Sequence, residues 1–147
     1  MGGIQISAAH HATTELAQAV TALMRQLSTT AAPVTVEALA ELIESESTTL
    51  LIASAEERVV GMLSLVTYGI PTGLRARIED VVVDESMRGK GVAFDLTNTA
   101  VELAHRAGAR TVDLTSRPSR ESANRLYQRA GFHARDSLTY RRTLTNR

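Results

Sequence analysis

A mixed α/β domain is predicted for this chain on three observations. Short runs with two-residue alternation, the mark of half-buried strands, trade places with stretches whose apolar side chains recur every three to four residues, the mark of helices resting on a sheet. Their order along the 147 residues is β-α-α-β-β-β-α-β-α-β, with no repeat, linker or low-complexity stretch, so one domain over residues 1–147 is expected. The β-α-β portion between Arg75 and Thr115 implies a right-handed crossover between parallel neighbours.

Each element has its own signal. Ile4 and Ile6 alternate with polar neighbours, giving a first strand at about 3–8. Thr13 or Thr14 can cap a helix, and Leu16, Val20, Leu23, Met24 and Leu27 form its apolar stripe. After Pro33, a shorter helix carries Val36, Leu39, Ala40 and Ile43. Leu50–Ala53 and Val59–Tyr68 read as hairpin partners around the turn Ala55–Arg58. The stretch Gly69–Gly73 breaks the second of them, and Arg75–Asp84, ending in Val81, Val82 and Val83, is apolar enough for a central strand. Lys90–Ala107 is a helix with Val92, Ala93, Leu96, Ala100, Leu103 and Ala104 on one face, closed by Gly108. Thr111–Thr115 is the next strand. Ser119 or Ser122 caps a helix bearing Ala123, Leu126, Tyr127 and Ala130, and Gly131-Phe132 ends it. A last strand is expected over Ser137–Leu144, with Leu138, Tyr140 and Arg142 on one face.

Composition excludes several chemistries. The chain has no cysteine, which removes disulfides, thiolate metal sites and a thiol nucleophile. Net charge is zero, and with only three Tyr, two Phe and no Trp the surface is not that of a nucleic-acid binder. The charge is uneven: residues 1–60 carry two basic and seven acidic side chains, residues 61–147 fourteen basic and nine acidic. An anionic ligand would suit the second part, as would a solvated helix face. The first residues lack a basic and apolar leader, and no stretch approaches 18 consecutive apolar residues, so a cytoplasmic location away from membranes is expected. His10 and His11 sit at a helix entrance, while His105 and His133 are isolated; no metal is expected. No serine lies in a nucleophile elbow.

The segment Arg88-Gly89-Lys90-Gly91-Val92-Ala93 joins a strand ending in aspartate to the long helix. Amides at a helix start have no partner within the helix and can surround a phosphate; Gly89 and Gly91 allow close approach, and Arg88 and Lys90, the only lysine, add charge. A tight capping turn would look the same. The segment matches neither Gly-x-x-x-x-Gly-Lys-[Ser/Thr] nor Gly-x-Gly-x-x-Gly.

On these residues the chain resembles the GNAT superfamily of N-acetyltransferases. Their pyrophosphate motif, Gln or Arg, two residues, Gly, one residue, Gly or Ala, is met by Arg88, Gly91 and Ala93. Ile78–Asp84 resembles their fourth strand, and Leu126-Tyr127-Gln128-Arg129-Ala130-Gly131-Phe132 their later helix. The resemblance implies an α/β (α+β) GNAT-like fold, its mixed sheet splayed between strands 4 and 5 with helices on both faces. It further implies that acetyl-CoA is the co-substrate. Backbone groups of Val81 and Val83, with Val82 between them, would hold the pantetheine arm, and N–H groups from Arg88, Gly89, Lys90, Gly91, Val92 and Ala93 the pyrophosphate. Tyr127 would protonate the departing thiolate, and Asn124 would contact the cofactor arm. Glu79 is the candidate base, with a surface salt bridge as the bland alternative; strict alternation turns Asp80 to the other face. Many relatives have Asn seven residues before the tyrosine, where this chain has Arg120.

The implied activity is transfer of an acetyl group to a primary amine, the acceptor being a small molecule bound near Ser28–Val34, Tyr68–Leu74, Arg117 and Tyr140. A protein or peptide acceptor, and an acyl-CoA-binding module without turnover, are the alternatives. A homodimer through the final strands or first helices is a further expectation.

Overall fold

The computed structural model describes residues 3–145. Its elements are β1 (Ile4–Ala8), α1 (Thr14–Leu27), α2 (Val36–Glu44), β2 (Thr48–Ala55), β3 (Arg58–Ile70), β4 (Gly73–Val83), a 3-10 turn at Glu85–Met87, α3 (Val92–Arg106), β5 (Val112–Asp113) and α4 (Glu121–Arg129). The strands form one sheet in the order β1-β2-β3-β4-β5. The first four are antiparallel and β5 lies parallel to β4, the mixed sheet the crossover required.

Local chemistry fixes most boundaries. Thr13 and Thr35 cap α1 and α2 with their hydroxyls, which accept from the amides of Leu16 and Ala38 at 3.0 Å. The β2–β3 hairpin turns on Glu56 and Glu57, both left-handed at φ 50° and 68°, as a two-residue turn between right-twisted strands requires. The β3–β4 turn is tighter than the stretch Gly69–Gly73 suggests: Ile70 pairs with Gly73, leaving only Pro71 and Thr72 in the turn.

Alternation along the strands divides the core in two. Leu51, Ala53, Leu63, Leu65, Ala76 and Ile78 pack with Val92, Leu96, Ala100 and Ala104 of α3. On the opposite face Leu50, Ile52, Met62 and Val82 pack with Ala17, Val20 and Leu23 of α1 and Leu39 of α2. The α3 side is very close to the sheet. A Cβ on Gly61 would lie 3.2 Å from the Val82 carbonyl oxygen and 3.3 Å from side-chain atoms of Leu96 and Val92. Thr21, buried within α1, bonds the Ala17 carbonyl and accepts from the Val34 amide at 2.9 Å, which fixes the chain leading into α2. Among the described residues no helix is long and apolar enough to cross a membrane.

Three expectations are corrected. The fifth strand is Val112–Asp113 rather than Thr111–Thr115, because beyond Asp113 the chain diverges from β4. The N-cap of α4 is Arg120, which makes no side-chain capping bond, instead of Ser119 or Ser122. Ser137–Leu144 forms no strand: Leu138, Tyr140 and Leu144 are 78%, 88% and 85% exposed. Its alternation is genuine, but a strand exists only through a ladder partner and a face to bury. Phe132 is the last residue that packs on the core.

Candidate active site

β5 accompanies β4 for only two pairs, Ala76 with Val112 and Arg77 with Asp113. From Ile78 onward that edge of β4 has no strand beside it among the described residues. On its other edge the Asp84 amide donates to the Val60 carbonyl at 2.8 Å. Since successive residues of a strand turn their backbone groups to alternate edges, Val83 and Val81 direct theirs into the opening. The resulting cleft has a volume of about 140 Å³; Ile78–Val81 form one wall, Leu114, Thr115, Arg120 and Tyr127 the other, with Leu27 of α1 at its side.

A bulge decides what faces this cleft. Ala76 and Ile78 point to the α3 side of the sheet, but so do Val81 and Val83, whereas Val82 points to the α1 side. The phase therefore slips by one residue between Ile78 and Val81, where the β3–β4 register also shifts and Asp80 adopts φ 50°. Glu79 and Asp80 consequently both border the cleft. The expectation that Asp80 faces away is corrected, because alternation holds only where the ladder is regular.

The two carboxylates differ in their surroundings. Glu79 accepts from Arg77 Nε at 2.5 Å, and the same guanidinium donates to Thr115 Oγ1 at 2.5 Å, bracing one wall against the other. Asp80 is open to water at the mouth, yet the protein around it is dense enough for burial, followed by the negative charge of Glu79, to hold its carboxyl above the ordinary 3.8. Burial likewise raises the phenol of Tyr127 above 10, against a smaller opposing effect of Arg120. The Tyr127 ring is fixed edge-on to Phe132, with centroids 6.1 Å apart.

At the end of β4 lies the glycine turn. Gly89 and Gly91 have φ 77° and 82°, and neither has any atom within 4 Å of where a Cβ would stand. Gly91 is the N-cap of α3 and supplies no side-chain bond; the first helical amide to find a partner at this end is that of Asp95, bonded to the Gly91 carbonyl at 3.0 Å. The amides of Val92, Ala93 and Phe94 thus lack intrahelical partners, while the Val92 side chain is buried and anchors the helix start. Arg88 and Lys90 are exposed beside them. Asp84 secures the approach to this turn: it accepts from Gln26 Nε2 at 2.8 Å, from the Ser86 amide and hydroxyl, and pairs with Arg58 at 3.7 Å. Those bonds, led by the Ser86 hydroxyl, lower its pKa to about 2. In the β5–α4 loop the Ser116 hydroxyl is buried without a partner.

An unaccompanied strand edge and a glycine turn with free amides fit a long, partly anionic ligand such as coenzyme A. Among the described residues no group of three or more His, Asp or Glu side chains could hold a metal ion.

A sheet split at this point, with a phosphate-type turn beside the split, defines an acyltransferase fold. The chain belongs to the Acetyltransferase (GNAT) family, whose profile it matches over residues 14–132. It is 34% identical over 61 residues to an uncharacterised N-acetyltransferase of Methanocaldococcus jannaschii; that match takes in 42% of this chain and 27% of the relative, about a quarter of its length. Among solved structures it is similar to a protein of Bacillus halodurans C-125 described as a transcriptional regulator, at 26% identity and TM-score 0.78, covering 95% of this chain and 99% of that one. It shares its fold with glucosamine-6-phosphate N-acetyltransferase of Arabidopsis thaliana, at 18% identity and TM-score 0.80, covering 96% and 99%.

The structure brings together Glu79, Val81 and Tyr127 at the cleft, and groups Arg88–Ala93 at the turn. Val82 lies in the α1-side core, 7% exposed, and reaches neither through its side chain. The Asn124 amide donates to the carbonyl of Arg117 at 3.0 Å, so it holds the loop before α4. Tyr140 stands in the exposed tail, and Arg120 borders the cleft. Sequence reasoning missed Asp80 and Asp84. The phase slip from Ala76 and Ile78 to Val81 and Val83 was the available signal for the first; for the second, an Asp-x-Ser turn marked only the local bond to Ser86, since Gln26 is 58 residues away.

Proposed function

We propose that this protein transfers the acetyl group of acetyl-CoA directly to a primary amine, and that the acceptor is a small molecule. The observation that carries the reading is the opening between β4 and β5, which has carboxylates on one wall, a phenol on the other and the glycine turn at the end of its strand. Acetyl-CoA, when bound, supplies an activated thioester carbonyl. The chain's residues do the rest. Backbone groups of Val81 and Val83 hold the pantetheine amides in place of the missing strand, and the amides from Arg88 to Ala93 receive the diphosphate with help from Arg88 and Lys90. The charges of Glu79 and Asp80 draw an ammonium into the cleft and favour a cationic acceptor over an anionic one; the ammonium releases one proton to water before attack, and the nitrogen gives a second to Glu79 as its bond to the acetyl carbon forms. Tyr127 keeps its proton at neutral pH, as its burial favours, and donates it to the sulfur when the thiolate leaves.

Binding of an acyl-CoA without turnover is the competing reading, because the 26%-identical Bacillus protein is described as a regulator. Thiol release from acetyl-CoA over pooled polyamines, amino acids, amino sugars, aminoglycosides and peptides distinguishes the two. The proposal expects release with a small amine. Tight coenzyme A binding by calorimetry, with no release across the whole panel, would establish the binding module instead.

A further inference from the structure

We infer that Arg120 selects an acceptor with a carboxylate beside its amine, an α-amino acid whose ammonium faces Glu79 and Asp80 while its carboxylate faces Arg120. The inference rests on the acetyl-transfer reading and names the class of amine it takes.

Three observations carry it. The walls of the cleft differ in charge: Glu79 and Asp80 stand on the β4 side, and Arg120 is the basic residue on the side of Leu114, Thr115 and Tyr127. Arg120 pairs with neither carboxylate, nor with any other acidic group among the described residues, whereas Arg77 is held by Glu79 at 2.5 Å. One guanidinium is thus satisfied within the protein and the other is open to a ligand. Arg120 also lies close to where the acetyl group changes hands. It caps α4, and Tyr127 follows seven residues later on the same face, about 10 Å along the axis; a helical side chain leans toward the N-terminus, which tilts the Tyr127 ring back toward Arg120. The phenol, whose pKa burial raises, feels the Arg120 charge as the smaller opposing effect.

That proximity sets how far the anion stands from the nitrogen. Tyr127 serves the sulfur and Glu79 the amine, so a guanidinium beside the phenol reaches a group on the carbon next to the nitrogen and not a distant one. A planar carboxylate meets the guanidinium fork in parallel hydrogen bonds, which an alcohol or a second ammonium cannot do. The backbone that carries this side chain is held in place. Its amide donates to the Arg117 carbonyl at 3.0 Å, its carbonyl accepts from the Asn124 amide at 2.9 Å, and the Asn124 side chain donates to the same Arg117 carbonyl at 3.0 Å. The carboxylates of β4 choose the ammonium, Arg120 chooses what is attached beside it, and the preferred acceptor is a zwitterion. The transfer balances with these groups. Of the ammonium protons one goes to water, one to Glu79 and the last stays on the amide; the nitrogen bonds the acetyl carbon, the carbon–sulfur bond breaks, and Tyr127 protonates the sulfur. Glu79 then releases its proton to water, Tyr127 regains one, and the product is an N-acetyl amino acid that keeps its carboxylate.

The test is thiol release from acetyl-CoA by the full chain. The substrates are phenylalanine and leucine, their counterparts without the carboxylate, phenethylamine and isoamylamine, and phenylalanine amide, which keeps the shape without the charge. R120Q should lose about 10–100-fold in kcat/KM with the amino acids, chiefly through KM, and change by no more than about twofold with the plain amines and the amide. Comparing each substrate between the two proteins cancels the differing basicity of the amines. R120K should recover part of the loss, and R120E should lose more with the amino acids while gaining with the plain amines. Arg120 is exposed and makes no side-chain cap, so all three variants should melt with the wild type. An R120Q that loses both kinds of substrate alike, or neither, overturns the inference alone, as does a wild type that releases thiol with other amines but with no amino acid. A wild type that neither binds coenzyme A by calorimetry nor releases thiol with any amine overturns the acetyl-transfer reading, and the inference with it.

Discussion

Asp84 and Tyr127 are displaced from their ordinary acidity in opposite directions with respect to charge. The bonds from Ser86 and Gln26 reward the ionised form of Asp84, whose folded pKa of about 2 lies below the ordinary 3.8. Its contribution to stability is therefore fully present above about pH 4 and lost as pH falls through 2. The Asp84 side chain is 24% exposed and its partner Arg58 59%, so solvent screens the effect to about 1 kcal/mol or less. Thermal melts of D84N and wild type should differ most above pH 5 and converge near pH 2; a constant difference across that range would mean the charge is irrelevant. Tyr127 is the reverse case, since burial favours its neutral form. The enzyme's alkaline limb should not set in below about pH 10, and Y127F should lower kcat about 10²-fold while leaving coenzyme A affinity intact. Equal losses in rate and affinity would place the phenol in binding rather than proton donation.

At the level of the element, α3 is the part on which both the fold and the proposed site depend. Its apolar stripe rests so closely on β3 that Gly61 has no room for a methyl, one obstacle being the Val82 carbonyl of the backbone itself. Replacing Gly61 by Ala should destabilise the chain by about 1–3 kcal/mol, the ordinary cost of overpacking, measurable by urea unfolding. Gly91, at the start of the same helix, has open space but a left-handed backbone. Gly91→Ala should weaken coenzyme A binding several-fold while costing about 1–2 kcal/mol in stability; unaltered affinity would remove the turn from the binding site. These features were legible in the sequence because they are local: hydroxyl caps at Thr13 and Thr35, glycines where φ is positive, and a stripe at helical spacing all act over a few residues. The bulge was only half legible. Asp80 stands where alternation from Ala76 and Ile78 calls for an apolar residue, but Val81, Val82 and Val83 are all apolar, and the new phase is fixed only by the two different cores that receive Val82 and its neighbours.

Across the whole molecule the least bound part is the tail beyond Phe132. Residues 137–144 carry the two-residue period of a strand, yet the sheet ends at β5 and these residues pair with nothing among those described. Alternation records what a segment could bury; whether it does so depends on an edge being within reach, and that is a property of the assembled chain. Because Leu138, Tyr140 and Leu144 are almost fully exposed, their removal takes no buried surface from the core. At a concentration where the full-length protein is monomeric, a chain ending at residue 136 should therefore melt within about 1 °C of it, below the shift of about 2–4 °C that 1 kcal/mol produces at this size. Three large exposed apolar side chains, spaced to share one face were the segment to become a strand, are also the feature best suited to association between copies. The homodimer expected from the sequence should accordingly depend on this segment, with the full chain sedimenting as a dimer and the shortened one as a monomer. If both sediment alike, the segment contributes no interface, and the first helices become the candidate, with Leu42 of α2 46% exposed.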